Sequence, residues 1–177
     1  MTVTQGILCG LAVLALGAAP VRGQTTQIST EYLMTLYVPL DPVQEVDSSL
    51  AVYNLRPGGW VKGPRIDGTL LAPGADWLRI MPDGNLRVDV RVTVKTDDGA
   101  LLYVTYGGVI SQSKESAERL AKGEVLTSKD LYFITAPTLQ TSSKKYAWLN
   151  HVQCVGKVVE VKDGENSFVK YDIFVVR

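Results

Sequence analysis

The sequence predicts an all-β protein of one domain, built from antiparallel strands with one short surface helix. Its length of 177 residues suits a single domain with a hydrophobic core of its own. After about residue 25, extended segments follow one another and are separated by Gly, Pro and Asp turn signals. No helical pattern alternates with the strands, as a parallel sheet would require. We therefore expect about eight to ten strands arranged as a barrel or a sandwich.

The clearest element is a hairpin in the middle of the chain. From Leu86 to Lys95, every even position is apolar and every odd position is polar. That period of two predicts a strand with one buried and one polar face. Asp97, Asp98 and Gly99 then form a turn signal, and residues 100–110 return as the partner strand.

Shorter apolar segments bounded by turn residues predict the remaining strands. Pro73 and Gly74 are interpreted as a turn that ends one of these segments. The predicted strand segments are 31–40, 43–55, 60–63, 65–71, 131–139, 151–162 and 167–177.

Residues 113–123 predict the single helix of the domain. Ser113 is suited to cap its N-terminus, acidic residues come early, basic residues come late, and Gly123 ends it. Only Ala117, Leu120 and Ala121 can face inward, so we expect a surface cover and not a core helix.

The N-terminus predicts a cleavable signal peptide over residues 1–23, followed by a β-barrel domain over residues 24–177. Residues 7–19 are apolar and uncharged, which is shorter than the roughly 18 residues that span a membrane. The first six residues lack Lys and Arg, which departs from the usual pattern. The alternative is a disordered or membrane-associating tail. The expectation is a secreted or exported protein without membrane contact after removal of the leader.

Composition excludes several classes of function. Eighteen basic and eighteen acidic residues give zero net charge, so a nucleic-acid partner is not expected. His151 is the one histidine, and Cys154 is the one cysteine outside the predicted leader. No metal site is expected from such a set. Glycine-rich nucleotide loops and a serine-hydrolase elbow are also missing from the sequence, so no cofactor is expected.

Asp89 and Arg91 lie on the polar face of the central hairpin and admit two interpretations. Strand statistics place them in solvent, with the valines between them in the core. Alternatively, the sheet curls so that both side chains point into a lumen. There they could orient a polar substrate and shift each other's pKa.

Asp76 and Trp77 follow the Pro-Gly signal and predict a rim element of a binding site. The carboxyl group could transfer a proton, and the indole could stack on a ligand. The alternative is an Asp that caps a turn beside a Trp that closes one barrel end.

Several aromatic and polar side chains are further candidates for ligand contacts. Phenols on strands either pack in the sheet or donate hydrogen bonds to a carbonyl or enolate. The tyrosines on predicted strands are Tyr37, Tyr103, Tyr106 and Tyr132. Trp148, Asn150 and His151 cluster in a short segment, where His151 could be a general acid or base, or a histidine bonded to backbone at a strand start.

Short motifs in a fixed order resemble the DUF3237 family, also called UPF0311, over about residues 30–177. They are Gly63–Gly68, Pro73–Trp77, Asp83-Gly84, Val88–Arg91, Thr96–Ala100, Tyr106–Gly108, Tyr132-Phe133 and Trp148–Asn150. The resemblance implies a closed or nearly closed, calycin-like β-barrel that associates into homodimers or larger assemblies. It also implies that Asp76, Trp77, Asp89, Arg91, Trp148 and Asn150 stand at recurring positions of the family. This favours the lumen interpretation of Asp89 and Arg91.

The leading functional hypothesis is a cofactor-independent cyclase or isomerase that acts on a small oxygenated metabolite, as natural-product pathways require. Asp76 or Asp89 would transfer protons, and Arg91 would stabilise negative charge. A barrel suits this role because it excludes water and holds one substrate conformer. The alternatives are an exported carrier of a small apolar molecule and an assembly module whose lumen is filled by its own side chains.

Overall fold

The computed structural model describes residues 26–177, and the predicted leader lies outside the described residues. Eleven strands, one α-helix and one 3-10 helix make up this part of the chain. The strands are β1 Thr30–Pro39, β2 Gln44–Asp47, β3 Leu50–Asn54, β4 Trp60–Lys62, β5 Asp67–Ile80, β6 Leu86–Thr96, β7 Leu101–Gln112, β8 Leu126–Thr127, β9 Leu131–Gln140, β10 Cys154–Lys162 and β11 Phe168–Val176. The helix α1 spans Lys114–Ala121, and the 3-10 helix spans Ala147–His151. Within residues 26–177, no helix has both the length and the hydropathy that crossing a bilayer requires.

The strands form a closed antiparallel barrel, which confirms the predicted fold class. Eight strands close it in the order β5-β4-β1-β11-β10-β9-β7-β6, and β6 pairs again with β5. The β2–β3 hairpin extends the sheet from β5, and β8 pairs with β10. An eight-stranded barrel is just wide enough for side chains to fill its interior.

The hairpin of β6 and β7 follows the sequence prediction in its two strands and its turn. Gly99 occupies the turn with a φ of 87°, where a glycine avoids the clash of a β-carbon. The inward residues of both strands are buried, and they fill the middle of the barrel with aliphatic side chains. These residues include Val88, Val90, Val92, Val94, Leu102 and Val104.

The expectation that Asp89 and Arg91 point into the lumen is wrong. Both lie on the outer surface, joined by an ion pair of 3.0 Å, with 56% and 49% of their side chains exposed. The alternation of the strand is the physical reason: since its valines face inward, its charged residues must face outward. The opposite arrangement would remove charges from water at a large cost in free energy.

The predicted turn at Pro73 and Gly74 is also wrong, because β5 continues through it. Leu71 pairs with Thr93 and Ala75 pairs with Arg91, so four steps along β5 match two steps along β6. The extra residues form a β-bulge that contains Pro73, which a regular central strand would not accommodate. Beyond the bulge β5 resumes its pairing and carries Asp76 into the barrel mouth.

Two other segments differ from the sequence expectation. Residues 43–55 form a hairpin and not one extended stretch, because Asp47 Oδ1 accepts hydrogen bonds from Ser49 N and Oγ at the turn. His151 ends a 3-10 helix and does not begin a strand, since β10 starts at Cys154. Cys154 itself is buried, and burial raises the pKa of its thiol to about 11.

The predicted helix is confirmed as α1. Ser113 Oγ accepts a hydrogen bond from the N–H of Ser116 at 3.1 Å and caps the helix. Arg119 donates to Glu124 at 2.9 Å and to Asp130 at 2.8 Å. These bonds tie the end of α1 to the segment around β8, so the helix lies across one end of the barrel.

Candidate functional site

A cavity of about 200 Å³ lies where α1 crosses the barrel end, and we call it the mouth cavity. Its helical wall is formed by Ala117, Leu120 and Ala121, as the sequence predicted for the inward face. Its other walls are mostly apolar and come from β5, β6, β7, β9 and β11. These residues are Leu78, Leu86, Val88, Ile110, Phe133 and Val169.

Asp76 and Asp163 are the two carboxyl groups that border this space, and Asp76 is the one that lies on a strand of the barrel. It pairs in register with Val90, an inward residue of β6, and paired residues present their side chains to the same face of a sheet. Asp76 Oδ1 accepts a hydrogen bond of 2.9 Å from the backbone N–H of Asp89. That bond fixes the orientation of the carboxyl group. Asp76 Oδ2 accepts no hydrogen bond from residues 26–177 in this structure.

The surroundings of Asp76 shift its proton affinity toward neutral pH. Burial among apolar side chains raises the pKa of Asp76 to about 7, and the nearby carboxylate of Asp89 adds to the rise. The backbone hydrogen bond from Asp89 opposes the rise, because it favours the ionised form. A carboxyl group with this pKa can both give and accept a proton near neutral pH.

Two buried phenols lie beside Asp76, toward the interior of the barrel. The rings of Tyr106 and Tyr171 meet edge to face with centroids 5.7 Å apart. Together with Asp76 they border a crevice of about 10 Å³ next to the mouth cavity. Burial is the main cause that raises the pKa of both phenols, and nearby charges, including that of Asp76, raise it further. Both hydroxyls therefore stay protonated and remain hydrogen-bond donors at neutral pH.

Polar groups also border the mouth cavity away from Asp76. The hydroxyl of Tyr53 donates a long hydrogen bond of 3.4 Å to Asp163 Oδ1, which links the β2–β3 hairpin to the turn between β10 and β11. Burial and the charge of Asp163 raise the pKa of Tyr53. Gln112 lies at the end of β7, and its Oε1 is buried without a hydrogen-bond partner among the described residues.

Of the three residues predicted to be catalytic, only Asp76 lines the mouth cavity. Asp89 reaches the site through its backbone N–H and its charge, while its side chain lies outside. The guanidinium of Arg91 lies 5.5 Å from the ring centroid of Trp77 on the outer surface. Trp77 is therefore placed outside the barrel, because it alternates with the inward residues Asp76 and Leu78.

Most residues predicted to bind a ligand are also separate from Asp76. Tyr106 borders the crevice, whereas Tyr103 and Tyr132 are exposed on the outer surface. Tyr37 stacks on Trp60 with centroids 5.5 Å apart, on the outward face of β1.

The remaining candidates cluster at the 3-10 helix. The guanidinium of Arg65 lies 4.1 Å from the ring centroid of Trp148. Asn150 accepts a hydrogen bond from Thr141 N and donates one to Thr141 O, and His151 is exposed. These contacts hold Trp148, which is half-buried, and Asn150, which is exposed, in place away from Asp76.

Sequence reasoning missed Tyr53, Gln112 and Tyr171. The alternation in the last predicted strand could have found Tyr171, since it shares the inward face with Ile173 and Val175. Gln112 continues the inward alternation of β7 after Ile110. Tyr53 carries no comparable signal, because its place depends on how the β2–β3 hairpin folds back.

Comparisons with known proteins agree with this architecture. A UPF0311 protein of Rhodopseudomonas palustris is 31% identical over 142 residues, which cover 78% of this chain and 93% of the relative. The crystal structure of a β-barrel-like protein from Acinetobacter baumannii superposes with a TM-score of 0.72 at 30% identity, covering 88% of this chain and all of the other. The hydroalkoxylation enzyme phnH of Penicillium herquei is 28% identical over 167 residues, which cover 93% of this chain and 92% of the enzyme.

The family model described as protein of unknown function (DUF3237) matches residues 28–176, nearly the whole described part of the chain. The identity to UPF0311 relatives and the shared barrel point the same way. This protein belongs to the DUF3237 family.

Proposed function

We propose that this protein is a cofactor-independent cyclase or isomerase that acts on a small oxygenated molecule, with Asp76 as the group that transfers the proton. The observation that carries this proposal is a carboxyl group of pKa about 7 on the wall of an apolar cavity. Such a pairing of cavity and perturbed acid is typical of sites that do proton chemistry.

The name of the Penicillium herquei relative supports a particular class of reaction. Hydroalkoxylation adds the O–H bond of an alcohol or phenol across a carbon–carbon double bond, so that one carbon gains the oxygen and the other gains the hydrogen. In an intramolecular case the C–O bond forms, the π bond breaks, and a cyclic ether of the same molecular formula results. The proposed step therefore needs a proton donor for one alkene carbon and an acceptor for the hydroxyl proton.

A single carboxyl group can supply both roles in that step. Protonated Asp76 gives its proton to the alkene carbon while the substrate oxygen attacks the other carbon. The hydroxyl proton then passes to the Asp76 carboxylate, which restores the starting state. The hydrogen bond from Asp89 N–H holds the carboxyl group in place and stabilises it when it is ionised. The apolar walls keep water from competing with the substrate oxygen.

The test compares Asp76→Asn with Asp89→Asn on a small alkenyl phenol. The probe is 2-allylphenol, and the expected product is the isomeric cyclic ether. Product formation is measured by chromatography, with a protein-free reaction as the blank. Asp76→Asn should lower the turnover rate at least about 100-fold, because it removes a general acid and base. Asp89→Asn should stay within a few-fold, since that side chain lies outside and its backbone N–H remains.

The second candidate is a carrier or an assembly module that catalyses no reaction. The aliphatic side chains that fill the middle of the barrel favour this candidate. At about 200 Å³ the mouth cavity is below the roughly 300 Å³ at which drug-sized ligand sites begin. Binding of small alkenyl phenols without product, in wild type and Asp76→Asn alike, would indicate a carrier. The absence of both binding and product would indicate an assembly module and would overturn the enzyme proposal.

A further inference from the structure

We infer that Tyr53 and Asp163 bind a hydroxyl group of the ligand between them, so that the mouth cavity selects alcohols and phenols. This inference rests on the proposal that the mouth cavity holds a small oxygenated molecule. It concerns the binding of the ligand before any proton moves, so it holds whether or not Asp76 acts in catalysis.

Tyr53 lies next to Asp76 on the wall of the mouth cavity. The two residues are register partners on β3 and β5, and both border the cavity. Side chains of partners in register lie on the same face of a sheet, with Cβ atoms about 5 Å apart. A ligand that Tyr53 holds is therefore close to the carboxyl group of Asp76.

The hydroxyl group of Tyr53 makes only a weak contact within the protein. Among residues 26–177 its one hydrogen-bond partner is Asp163 Oδ1, at 3.4 Å. O–H···O bonds in proteins are usually about 2.8 Å long, so little is lost when this bond is exchanged. Burial and the charges of Asp163 and Asp76 raise the pKa of Tyr53, so its hydroxyl group remains a donor at neutral pH.

Asp163 supplies the acceptor of the pair. It lies in the turn between β10 and β11, is half-buried, and borders the mouth cavity together with Tyr53. In the part of the chain that the structure describes, its side chain accepts no hydrogen bond besides the one from Tyr53. A carboxylate offers about four lone-pair sites, so Asp163 can accept a further bond from a ligand.

A hydroxyl group is the complement of this arrangement, because it both accepts and donates a hydrogen bond. It can lie between the two side chains, where it accepts from Tyr53 Oη and donates to the carboxylate of Asp163. Two bonds of ordinary length then replace one long bond, and the bond to the carboxylate is charge-assisted. An ether can only accept and a hydrocarbon can do neither, so both should bind less tightly.

The size of the cavity limits the rest of the ligand. A cavity of about 150 Å³ in an apolar protein core accommodates benzene. The mouth cavity, at about 200 Å³, suits an aromatic ring with a short alkyl chain. Its mostly apolar walls then contact the ring and the chain, while the pair of Tyr53 and Asp163 contacts the oxygen.

The experiment measures dissociation constants by calorimetry at pH 7 for three probes without a reactive double bond. The first is 2-propylphenol, the saturated analogue of 2-allylphenol. The second is its methyl ether, 2-propylanisole, and the third is propylbenzene, which lacks the oxygen. We expect wild type to bind 2-propylphenol about tenfold more tightly than either of the other two probes.

Two variants assign this preference to the pair. Tyr53→Phe keeps the ring without the hydroxyl group, and Asp163→Leu replaces the carboxyl group by an apolar group of similar size. Each should reduce the preference to about threefold or less. The affinity for propylbenzene should stay within about twofold, which also shows that the variants are folded.

A double variant and a control variant complete the set. Because one bridging hydroxyl group needs both partners, the double variant Tyr53→Phe, Asp163→Leu should lose little more than either single variant. Tyr103→Phe removes a hydroxyl group from an exposed tyrosine on the outer surface. It should keep the full preference for 2-propylphenol.

Three outcomes would overturn the inference. Equal binding of 2-propylphenol and 2-propylanisole by wild type would show that donation to Asp163 contributes nothing. An equal loss of affinity for all three probes in Tyr53→Phe would show a purely structural role. A full preference for the phenol in both single variants would place the bound hydroxyl group elsewhere.

This inference and the proton-transfer proposal fail separately. If wild type prefers 2-propylphenol but does not convert 2-allylphenol, only the proton-transfer proposal fails. If wild type converts 2-allylphenol but shows no preference for 2-propylphenol, only the present inference fails. Asp76→Asn should keep the preference for 2-propylphenol, because it leaves Tyr53 and Asp163 unchanged.

Discussion

Asp76 illustrates how strongly one side chain depends on its place in the barrel. Asp76, Asp89 and Asp98 are ordinary aspartates in the sequence, yet their environments differ. Hydrogen bonds from Lys145 and Thr96 lower the pKa of Asp98 to about 2, whereas burial raises the pKa of Asp76 to about 7. Only the second value suits proton transfer near neutral pH.

The raised pKa of Asp76 makes folding stability depend on pH in a defined direction. In the unfolded chain an aspartate has a pKa of about 3.9, and in the folded protein the pKa of Asp76 is raised to about 7. Between these values the folded state binds more protons than the unfolded state, so stability falls as pH rises. Below about pH 4 and above about pH 7 this contribution is constant.

Asp76→Asn should remove that dependence. We expect the free energy of unfolding of the variant to exceed that of wild type at pH 8 by on the order of 4 kcal/mol, and to match it near pH 4. The Asn oxygen can still accept the hydrogen bond from Asp89 N–H. Urea unfolding at a series of pH values provides the measurement. A difference that does not vary with pH would show that Asp76 titrates normally.

At the level of single residues, the sequence predicted Asp76 but misplaced its neighbours. The family resemblance favours the lumen for Asp89 and Arg91, against the simple alternation of their strand. The alternation was the better guide, since the inward valines leave the odd positions outside. The alternation of β7 could have indicated Gln112, whereas Tyr53 could not be predicted because its place depends on how the β2–β3 hairpin folds back.

Among the elements, α1 has the most direct influence on the mouth cavity. It forms one wall through small and aliphatic side chains, and it is only eight residues long. A helix of that length is not stable alone, so its cap and its ion pairs decide how firmly it covers the barrel. Its start, end and inward face followed from sequence, because capping and helical period are local properties.

Ser113→Ala should loosen this cover. The substitution removes the hydrogen bond to Ser116 N, which typically costs about 1 kcal/mol at a helix N-terminus. Hydrogen exchange of the amides from Lys114 to Ala121 should become roughly fivefold faster, while the amides of β6 change little. Ser111→Ala, on an exposed residue of β7, is the matched control. Equal exchange in both variants would count against the cap as the anchor of α1.

The elements that could not be predicted are those that depend on pairing partners. Pro73 and Gly74 read as a turn, yet β6 and β3 hold β5 in place on both sides of the bulge. The same applies to the 3-10 helix at Ala147–His151, which occupies the connection between β9 and β10. Local propensity describes such segments poorly, since long-range pairing outweighs it.

The whole barrel depends on close contacts between its strands in the interior. Gly156 of β10 lies where a β-carbon would collide with the Thr135 hydroxyl and would lie 2.8 Å from Ile173 Cδ1. Thr135 and Ile173 are themselves buried. A packed interior has little room to relax, so an added methyl group here should disturb the packing of β9, β10 and β11.

Gly156→Ala should destabilise the protein by about 2 kcal/mol through overpacking. Gly107→Ala on β7 is the control, because its nearest neighbour would be Val88 O at an ordinary 3.6 Å. Thermal unfolding followed by circular dichroism compares the two. We expect a clear drop in Tm for Gly156→Ala and a small change for Gly107→Ala. Equal drops would contradict the importance of interior contact at Gly156.

The β2–β3 hairpin is attached to the closed barrel through one edge of β5, and the eight-strand ring is complete without it. Its Tyr53 nevertheless reaches the mouth cavity. Insertions or replacements in the tip between Asp47 and Leu50 would thus alter which ligands can enter the mouth cavity. All strand pairs of the eight-stranded barrel would stay intact. Members of the family could in this way acquire new ligands by exchanging a small appendage, without any redesign of the container.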